Sequence, residues 1–297
     1  MMNHPVQQNT LHTKEKKKGK EVRTSLVAYF FLLLLGILMV YPLIWMFFGS
    51  FKANDEIFGS LRLLPKAFSL DGYLKGWEGS GQFDFGVFFI NTFALVVPTV
   101  VFTVVSSALV AYGFARFHFP MKKILFMLMI STLMLPNAVI IIPRYILFKN
   151  LHWLNSYLPF TVPALFACYP FFVFMMVQFY RGLPKELDES ALIDGCGPLT
   201  ILLRILLPLS KPALFSATIF QFIWTWNDFF NSLIYINSIK KFPVSLALRM
   251  SIDSTGGVVG WNQVLAMSVL AILPPVALFF FAQKYFVEGI ATTGIKG

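Results

Sequence analysis

The stretch ELDESALIDGCGPLTILLRILLPLSKPAL, residues 186–214, is a charged and proline-punctuated interruption between two long apolar runs. Its first part, up to Gly195, is about ten residues long, whereas a helix needs about 20 residues to cross a bilayer. The apolar runs on either side are long enough to do so. The stretch therefore predicts a short helical loop at a membrane surface, placed between two membrane-spanning segments.

The composition of the whole chain also indicates a membrane protein. Of the 297 residues, 57% are hydrophobic and 13% are charged, whereas about a quarter of the residues of soluble proteins are charged. Six segments are long and apolar enough to span a bilayer. They are residues 26–48, 86–114, 124–142, 157–180, 213–236 and 264–286. We therefore predict an all-α polytopic membrane protein with about six transmembrane helices.

The positions of lysine and arginine predict the orientation of the chain. Cations are dense in the N-terminal tail and in the second and fourth loops, and such loops mark the cytoplasmic side. We expect both termini in the cytoplasm, and membrane topology then accounts for the net charge of +10 without nucleic-acid binding. The first apolar run, about 23 residues without a small-residue exit site, is expected to be an uncleaved span rather than a signal peptide.

These predictions divide the chain into consecutive regions. They are a basic cytoplasmic tail (1–24), a first transmembrane helix (25–49), an extracytoplasmic loop (50–85), a core transmembrane domain (86–286) that includes a cytoplasmic loop (183–212), and a cytoplasmic C-terminal tail (287–297).

A search for catalytic signatures finds little. The sequence has no G-x-x-x-x-G-K-[ST] nucleotide loop, no H-E-x-x-H and no G-x-S-x-G, and no His/Cys spacing indicates a metal site. Asp228 is the one carboxylate well inside a predicted span, and such acids are candidates for function because their burial is costly. It either contacts a transported molecule or bonds to Asn227, Asn231 or a neighbouring backbone group. An intramembrane aspartyl protease would need a second such acid.

The interruption itself predicts a helix, a sharp turn and a second helix. Pro184 suits the first helical position, the acids that follow favour a helix N-terminus, and Gly195 is placed to end the helix. A second helix can begin after Pro198 and meets breaks at Pro208 and Pro212. A helix lying on the lipid surface is the alternative, but its acids disfavour an anionic leaflet. A protein partner suits this face better.

The loop resembles the EAA loop of ATP-binding-cassette importer permeases. The residues that carry the resemblance are Glu189, Ser190, Ala191, Gly195, Ile205, Leu207 and Pro208. Segments elsewhere are similar to the carbohydrate-uptake subfamily, which contains the smaller maltose permease subunit; they include VYPLIWMFFGSFK, ALVAYGFARFHFP, TLMLPNAVIIIPRY, WTWNDFFNSLIY and QKYFVEGIATTGIKG. The chain departs from the family pattern at Ser190 and Cys196, where alanine is usual, but both replacements are small.

The resemblance implies a type I importer (MetI-like) permease fold and a role in ATP-driven import. In similar permeases the loop helix, here residues 183–194, docks into a cleft of a cytoplasmic ATPase and transmits its closure to the membrane helices. The chain is then expected to be non-catalytic and to hold no cofactor, with ATP and Mg bound by partner ATPase subunits. The implied coupling residues are Leu187, Glu189, Ser190, Ala191, Asp194, Gly195 and Pro208. Glu189 is the expected polar anchor, while Ala191 permits close approach.

The resemblance also implies an assembly in the bacterial cytoplasmic membrane. The expected partners are a second, different permease, two ATPase subunits and an extracytoplasmic solute-binding protein, and segment 289–297 is a candidate for a second ATPase contact. The residues expected to line the sugar path are Asn137, Trp226, Asn227 and Asp228. The partner permease is the alternative place for the sugar.

The cargo and the mechanism leave alternatives open. The segment GIATTGIKG is similar to the tails of permeases for oligosaccharides from plant or algal polysaccharides, including acidic ones. An ion-coupled secondary transporter or a channel is the alternative function. It would be expected to show inverted repeats or several ion-coupling residues at the membrane midplane, and neither is evident in the sequence.

Overall fold

The computed structural model describes residues 6–79, 83–253 and 259–294, with side chains placed for 28–79, 83–252 and 259–283. Within these ranges the chain is helical and forms no strand. The helices of its first half are α1 (Val6–Gly49), α2 (Asn54–Gly59), α3 (Asp71–Glu78), α4 (Phe85–Arg116), α5 (Lys122–Ser131), α6 (Asn137–Asn150), α7 (Leu158–Leu165) and α8 (Pro170–Gly182). Those of its second half are α9 (Glu186–Ile193), α10 (Pro198–Ile201), α11 (Leu207–Leu209), α12 (Lys211–Trp226), α13 (Phe229–Tyr235), α14 (Val244–Asp253) and α15 (Trp261–Gly294).

The described helices include four that are long and apolar enough to cross a membrane. They are Ala28–Gly49, Phe85–Arg116, Leu158–Gly182 and Trp261–Gln283. Two helix pairs pass the same test only together, because a bend separates their members: Lys122–Met134 with Asn137–Asn150 (105°), and Pro198–Leu209 with Lys211–Trp226 (77°). The prediction of about six spans is confirmed if each bent pair is one span.

The core is built around α4, which packs against α7, α8 and α12. Asp84 caps its first turn by accepting a hydrogen bond from the backbone N–H of Val87 at 3.1 Å. On its inner face, Ser107 and Ala111 are fully buried, and Ala111 belongs to an apolar cluster with residues of α8. Small side chains of this kind let membrane helices approach closely, which increases their van der Waals contact.

Helix α1 extends away from this core. None of its apolar window is buried, and it contacts α15 near Gly49, beside Leu265. Its large apolar side chains between Tyr29 and Leu43 are exposed on every side of the helix. A helix that is apolar all round lies in lipid or against another membrane protein, so the surface of α1 is that of a membrane-spanning helix.

The third span differs from the continuous helix predicted for residues 124–142. Helix α5 ends in a 3-10 turn at Thr132–Met134, and α6 begins one residue after Pro136 at an angle of 105°. The bend lies where it does because the ring of Pro136 disfavours a helical conformation for Leu135, which is extended (ψ 120°). As a consequence, Arg144 lies inside a helix of the broken span, whereas the predicted span 124–142 ends before it.

The fifth span also differs from its prediction, a continuous helix over residues 213–236. Helix α12 ends at Trp226, α13 begins at Phe229, and Asn227 and Asp228 form the break. Asp228 caps α13 by accepting a hydrogen bond from the backbone N–H of Asn231 at 3.1 Å. The strong N-cap preference of aspartate thus prevails over the apolar continuity of the segment.

Helices α3 and α14 pack against α4 near Phe85, and α2 packs against α15; we call this end of the bundle the cap end. Two charged residues near α2 are buried there: Lys52 (1% exposed) donates to the carbonyl of Arg62, and Glu56 (9%) accepts from the backbone N–H of Lys66 at 3.0 Å. Buried charges are retained when hydrogen bonds satisfy them. These bonds hold residues 52–66 of the 50–85 loop together.

Candidate functional site

The charged interruption forms a short helix at the opposite end of α4. Helix α9 runs over Glu186–Ile193 within the predicted 183–194, with three acids in its first turn. Gly195 follows it in the left-handed region, at φ 78°. An L side chain is disfavoured in this conformation, whereas glycine adopts it freely, so the predicted turn at Gly195 is confirmed.

Arg116, the last residue of α4, attaches α9 to the membrane bundle. Its Nε lies 2.7 Å from Oδ2 of Asp188, and both side chains are largely buried (Arg116 7% and Asp188 16% exposed). The same guanidinium donates to the carbonyl of Leu183 at 3.1 Å. A planar guanidinium offers five donors in fixed directions, so Arg116 holds both the approach to α9 and its first turn.

Tyr112, one helical turn before Arg116 on α4, attaches the second half of the loop. Its hydroxyl donates to the carbonyl of Pro198 at 3.0 Å. Pro198 begins α10, so the two limbs of the loop are held by neighbouring positions of one helix. The end of α4 and the loop 183–212, which we call the EAA-like loop, thus form one unit.

Ala191 lies inside the chain rather than on its surface. It is 5% exposed and packs in the apolar cluster that contains Tyr112, Ile201 and Leu206. Its small side chain lets α9 approach the chain's own helices. The close approach expected at Ala191 is therefore made to the chain's own helices in this structure.

The opposite face of α9 is open. Its exposed residues combine acids with apolar side chains: Glu186, Leu187, Glu189, Ser190, Leu192, Ile193 and Asp194. Ile193 is 87% exposed and Leu192 is 56% exposed. Four of the predicted coupling residues, Leu187, Glu189, Ser190 and Asp194, therefore share one accessible surface.

Pro208 shapes the return of the loop toward the membrane. The five residues before Leu207 form a π-helical turn, in which the backbone N–H of Leu207 bonds to the carbonyl of Leu202. A proline cannot donate to a carbonyl four residues earlier and its ring clashes there, which favours this wider turn. Ile201 and Leu206 are buried by it, while Pro208 itself is exposed.

Asn137, Ile140, Arg144 and Leu147 form a row along one face of α6, because residues three and four apart lie on the same side of a helix. This row, α7–α8 and Trp224 enclose a groove of 770 Å³, which we call the α6–α8 groove. Its lining also includes Cys168, Tyr169, Phe171 and Phe172. Among the predicted path residues, Asn137 alone lines it.

Arg144 and Trp224 give this groove its chemical character. Arg144 is the charged residue of the lining, and it interacts electrostatically with Tyr169 and Asp228 without a direct ion pair in the described part of the chain. Trp224 is 49% exposed although its ring centroid lies 5.1 Å from that of Phe171. One part of the indole is supported by packing and another faces the groove. Sequence reasoning placed Arg144 outside the span and therefore missed it.

Trp226 serves packing. It is 4% exposed, its Nε1 donates to the carbonyl of Ala271 at 3.1 Å, and its ring stacks on Phe222 with centroids 5.3 Å apart. This corrects the expectation that its indole lies open to a path. It forms one edge of a separate cavity of 390 Å³, which Asn227 and Ser245 also line.

Asp228 stands at the break between α12 and α13 rather than within a continuous span. Its carboxylate accepts hydrogen bonds from the side chain of Asn231 at 2.8 and 3.0 Å, in addition to the capping bond. Of the alternatives for this acid, the structure shows the bond to Asn231.

The candidate ATPase contact at 289–297 falls outside the described side chains.

Comparisons with known proteins agree with this architecture. Residues 104–292 match the family described as binding-protein-dependent transport system inner membrane component. The chain is 31% identical to the probable ABC transporter permease protein YurM of Bacillus subtilis, over 99% of this chain and 96% of that protein. It is 34% identical to the arabinooligosaccharides transport system permease protein AraQ of the same species, over 90% and 94% of the two chains.

A third relative and a solved structure extend the comparison. The sn-glycerol-3-phosphate transport system permease protein UgpE of Rhizobium meliloti is 30% identical, over 91% of this chain and 97% of that protein. A crystal structure of a bacterial ABC transporter involved in the import of the acidic polysaccharide alginate has the same fold, with a TM-score of 0.80 over 90% of this chain and 98% of that chain, at 21% identity. The chain therefore belongs to the binding-protein-dependent transport system inner membrane components, the membrane-spanning permeases of ABC importers.

Proposed function

We propose that this chain is one of two different permease subunits of an ATP-driven importer for oligosaccharides, and that α9 is the element through which ATP hydrolysis acts on it. The proposal rests on one observation: Arg116 joins α9 to α4, and the opposite face of α9 exposes acidic and apolar side chains. A surface that moves with α4 can transmit a displacement to the membrane helices, provided that its partner binds two states differently.

The composition of that face suits a protein partner. Exposed Leu192 and Ile193 offer apolar area, while Glu189 offers a carboxylate for hydrogen bonds or charge pairing at the rim. We assign the partner as the ATPase pair of the importer, which binds ATP and Mg, while this chain binds neither. A solute-binding protein delivers the sugar at the cap end, and both termini lie in the cytoplasm.

The α6–α8 groove is the proposed sugar path on this subunit. Its volume of 770 Å³ is within the range of small-molecule sites, about 300–1,000 Å³. Trp224 offers an aromatic face for a sugar ring, and Asn137 and Arg144 offer hydrogen-bond donors. Asp228, at the break of the fifth span, interacts electrostatically with Arg144 of this groove, whereas Asn227 lines the separate cavity beside Trp226. A guanidinium binds hydroxyl and carboxylate oxygens alike, so neutral and uronic oligosaccharides are both candidate cargoes.

The names of relatives support this class of cargo. AraQ is named for arabinooligosaccharides, and the structural neighbour imports an acidic polysaccharide. A panel of transport assays with one neutral and one uronic oligosaccharide separates the two possibilities, since exclusively neutral cargo would remove the acidic one.

The proposal is tested by purifying the tagged chain from its native membranes and identifying the subunits that copurify. We expect a second permease and an ATPase, with ATP hydrolysis that the cargo and its binding protein stimulate. The variant Glu189→Ala should lose ATPase association, whereas Glu78→Ala, an exposed acid at the cap end and far along the chain from α9, should retain it. Purification of the chain alone, with active ion-dependent sugar uptake, would favour a secondary transporter instead.

A further inference from the structure

A second groove, which the proposed function does not use, lies between α5 and α8. Its volume is 740 Å³, and we call it the basic groove. Basic side chains line one end, His118, Lys122, Lys123 and Arg181, and mainly apolar side chains line the rest, Phe126, Met127, Ile130, Ser131 and Met134. A ligand that matches this groove has an anionic part for the cationic end and an apolar part for the rest.

The apolar part follows the direction of a membrane span. Lys123, Met127, Ile130 and Met134 recur at intervals of three or four residues and so lie along one side of α5 and the turn after it. Met127 is 69% exposed and Met134 is 82% exposed. Because Lys122–Met134 is the first half of a broken span, this stripe leads from the cations toward the bilayer interior.

Among the described residues, no acidic side chain forms an ion pair with a cation of the basic groove. In the described part of the chain the ion pair joins Arg116 to Asp188, and neither belongs to this groove. The charges of Arg181 and Lys185 act on Lys122, whose Nζ donates to the carbonyl of Phe117 at 2.7 Å and keeps further donors. The Arg181 guanidinium lies 4.9 Å from the ring centroid of Phe126, which fixes it at the mouth of the groove.

We propose that the basic groove binds one anionic phospholipid, with its phosphate against Lys122, Lys123 and Arg181 and an acyl chain along Met127 and Met134. Charge complementarity favours this occupant, because several cations converge at the level where a span enters the membrane. A neutral lipid leaves their repulsion unrelieved, and a free phosphate leaves the apolar stripe uncovered. The site does not depend on the proposed sugar path or on α9.

The test is native mass spectrometry of the purified transporter, titrated with phosphatidylglycerol in the presence of phosphatidylcholine. Each cation near a membrane surface contributes about a fivefold factor in affinity for anionic lipid, so Lys123→Gln with Arg181→Gln should weaken phosphatidylglycerol binding about thirtyfold. The matched control is Lys149→Gln with Lys240→Gln, which removes two exposed cations elsewhere and should change the affinity less than about twofold.

Two further measurements test the proposal if the double variant fails to assemble. The single variant Lys123→Gln changes one exposed side chain, and raised salt should weaken phosphatidylglycerol binding to the wild-type transporter. Equal affinity for phosphatidylglycerol and phosphatidylcholine would overturn the proposal, as would unchanged affinity in both variants. Displacement of the lipid by inorganic phosphate at equal concentration would contradict the acyl contact. Loss of a protein subunit with unchanged lipid binding would assign the surface to a protein.

Discussion

Trp226 supplies the hydrogen bond that Pro275 withholds from the carbonyl of Ala271. In α15 this carbonyl would accept from the N–H four residues later, and that residue is a proline without an N–H. The indole Nε1 of Trp226, on α12, donates to it at 3.1 Å instead. An unsatisfied carbonyl is costly in a membrane interior, so the proline-containing helix α15 and the end of α12 depend on each other.

The variant Trp226→Phe should therefore destabilise the bundle. It retains much of the ring packing and removes the donor, and leaving a buried carbonyl unsatisfied costs about 1–3 kcal/mol. The measurement is the Tm of the purified transporter. Trp77→Phe is the control, because the Trp77 indole nitrogen has no hydrogen-bond partner among the described residues and its ring is 43% exposed. Equal Tm shifts in both variants would show that the bond to Ala271 contributes nothing.

Exchanging the charges of Arg116 and Asp188 tests whether their contact transmits ATP hydrolysis. Removing one member of a largely buried pair leaves the other uncompensated, which costs about 3–5 kcal/mol when burial is complete and less here. Arg116→Ala and Asp188→Ala should each reduce the sugar transported per ATP hydrolysed. The double exchange Arg116→Asp with Asp188→Arg should restore part of this ratio. An unchanged ratio in the single variants would mean that α9 moves without this contact.

Gly195 and Gly197 form a matched pair for testing the turn after α9. A Cβ at either position meets no atom within 4 Å, but Gly195 has φ 78° and Gly197 has φ −74°. Gly195→Ala should cost about 1–2 kcal/mol through its left-handed backbone alone, Gly195→Asn should cost less, and Gly197→Ala should be close to neutral. The thermal stability and ATPase retention of the purified complex report the difference. The same loss at both positions would point to a partner contact instead.

The sequence predicted the helical class and the EAA-like loop well because both depend on local signals. The acids before Gly195 and the prolines after it determine where α9 ends and where the chain turns, and those effects act over a few residues. The role of Ala191, by contrast, was implied by the resemblance and not by local signals. A small residue on a short helix suits close packing, but sequence alone does not tell whether the packing is internal or with a partner.

The breaks in the third and fifth spans were not predicted, for a physical reason. Hydropathy reports whether a segment partitions into a membrane, and it does not report whether the helix bends within it. Pro136 and Asp228 end their helices by local geometry while the apolar character continues. Arg144 was misplaced for this reason, and its row with Asn137 on α6 becomes visible only when the helix is restarted after Pro136.

Cys168 provides a reporter for the α6–α8 groove, because it is an exposed free thiol in the lining. If this groove holds the sugar, alkylation of Cys168 in the purified transporter should slow when the transported oligosaccharide is present. Mass spectrometry of the labelled peptides distinguishes it from Cys196, which lies in the EAA-like loop and serves as an internal control. The probes are arabinotriose and a mannuronate trisaccharide, each tested first for ATP-dependent transport by the wild type.

The groove variants then assign the contacts. Trp224→Ala should abolish protection of Cys168, because stacking on an aromatic face is lost, whereas Phe281→Ala, an exposed ring outside the groove, should preserve it. Arg144→Gln keeps hydrogen-bond donors and loses the charge. A hydrogen bond to a charged group contributes about 1.5–3 kcal/mol, so protection by the uronic probe should weaken by tenfold or more. Protection by the neutral probe should not change. Unslowed labelling of Cys168 by a sugar that the complex transports would place the sugar in the partner permease. Failure to transport either probe would instead count against the oligosaccharide cargo itself.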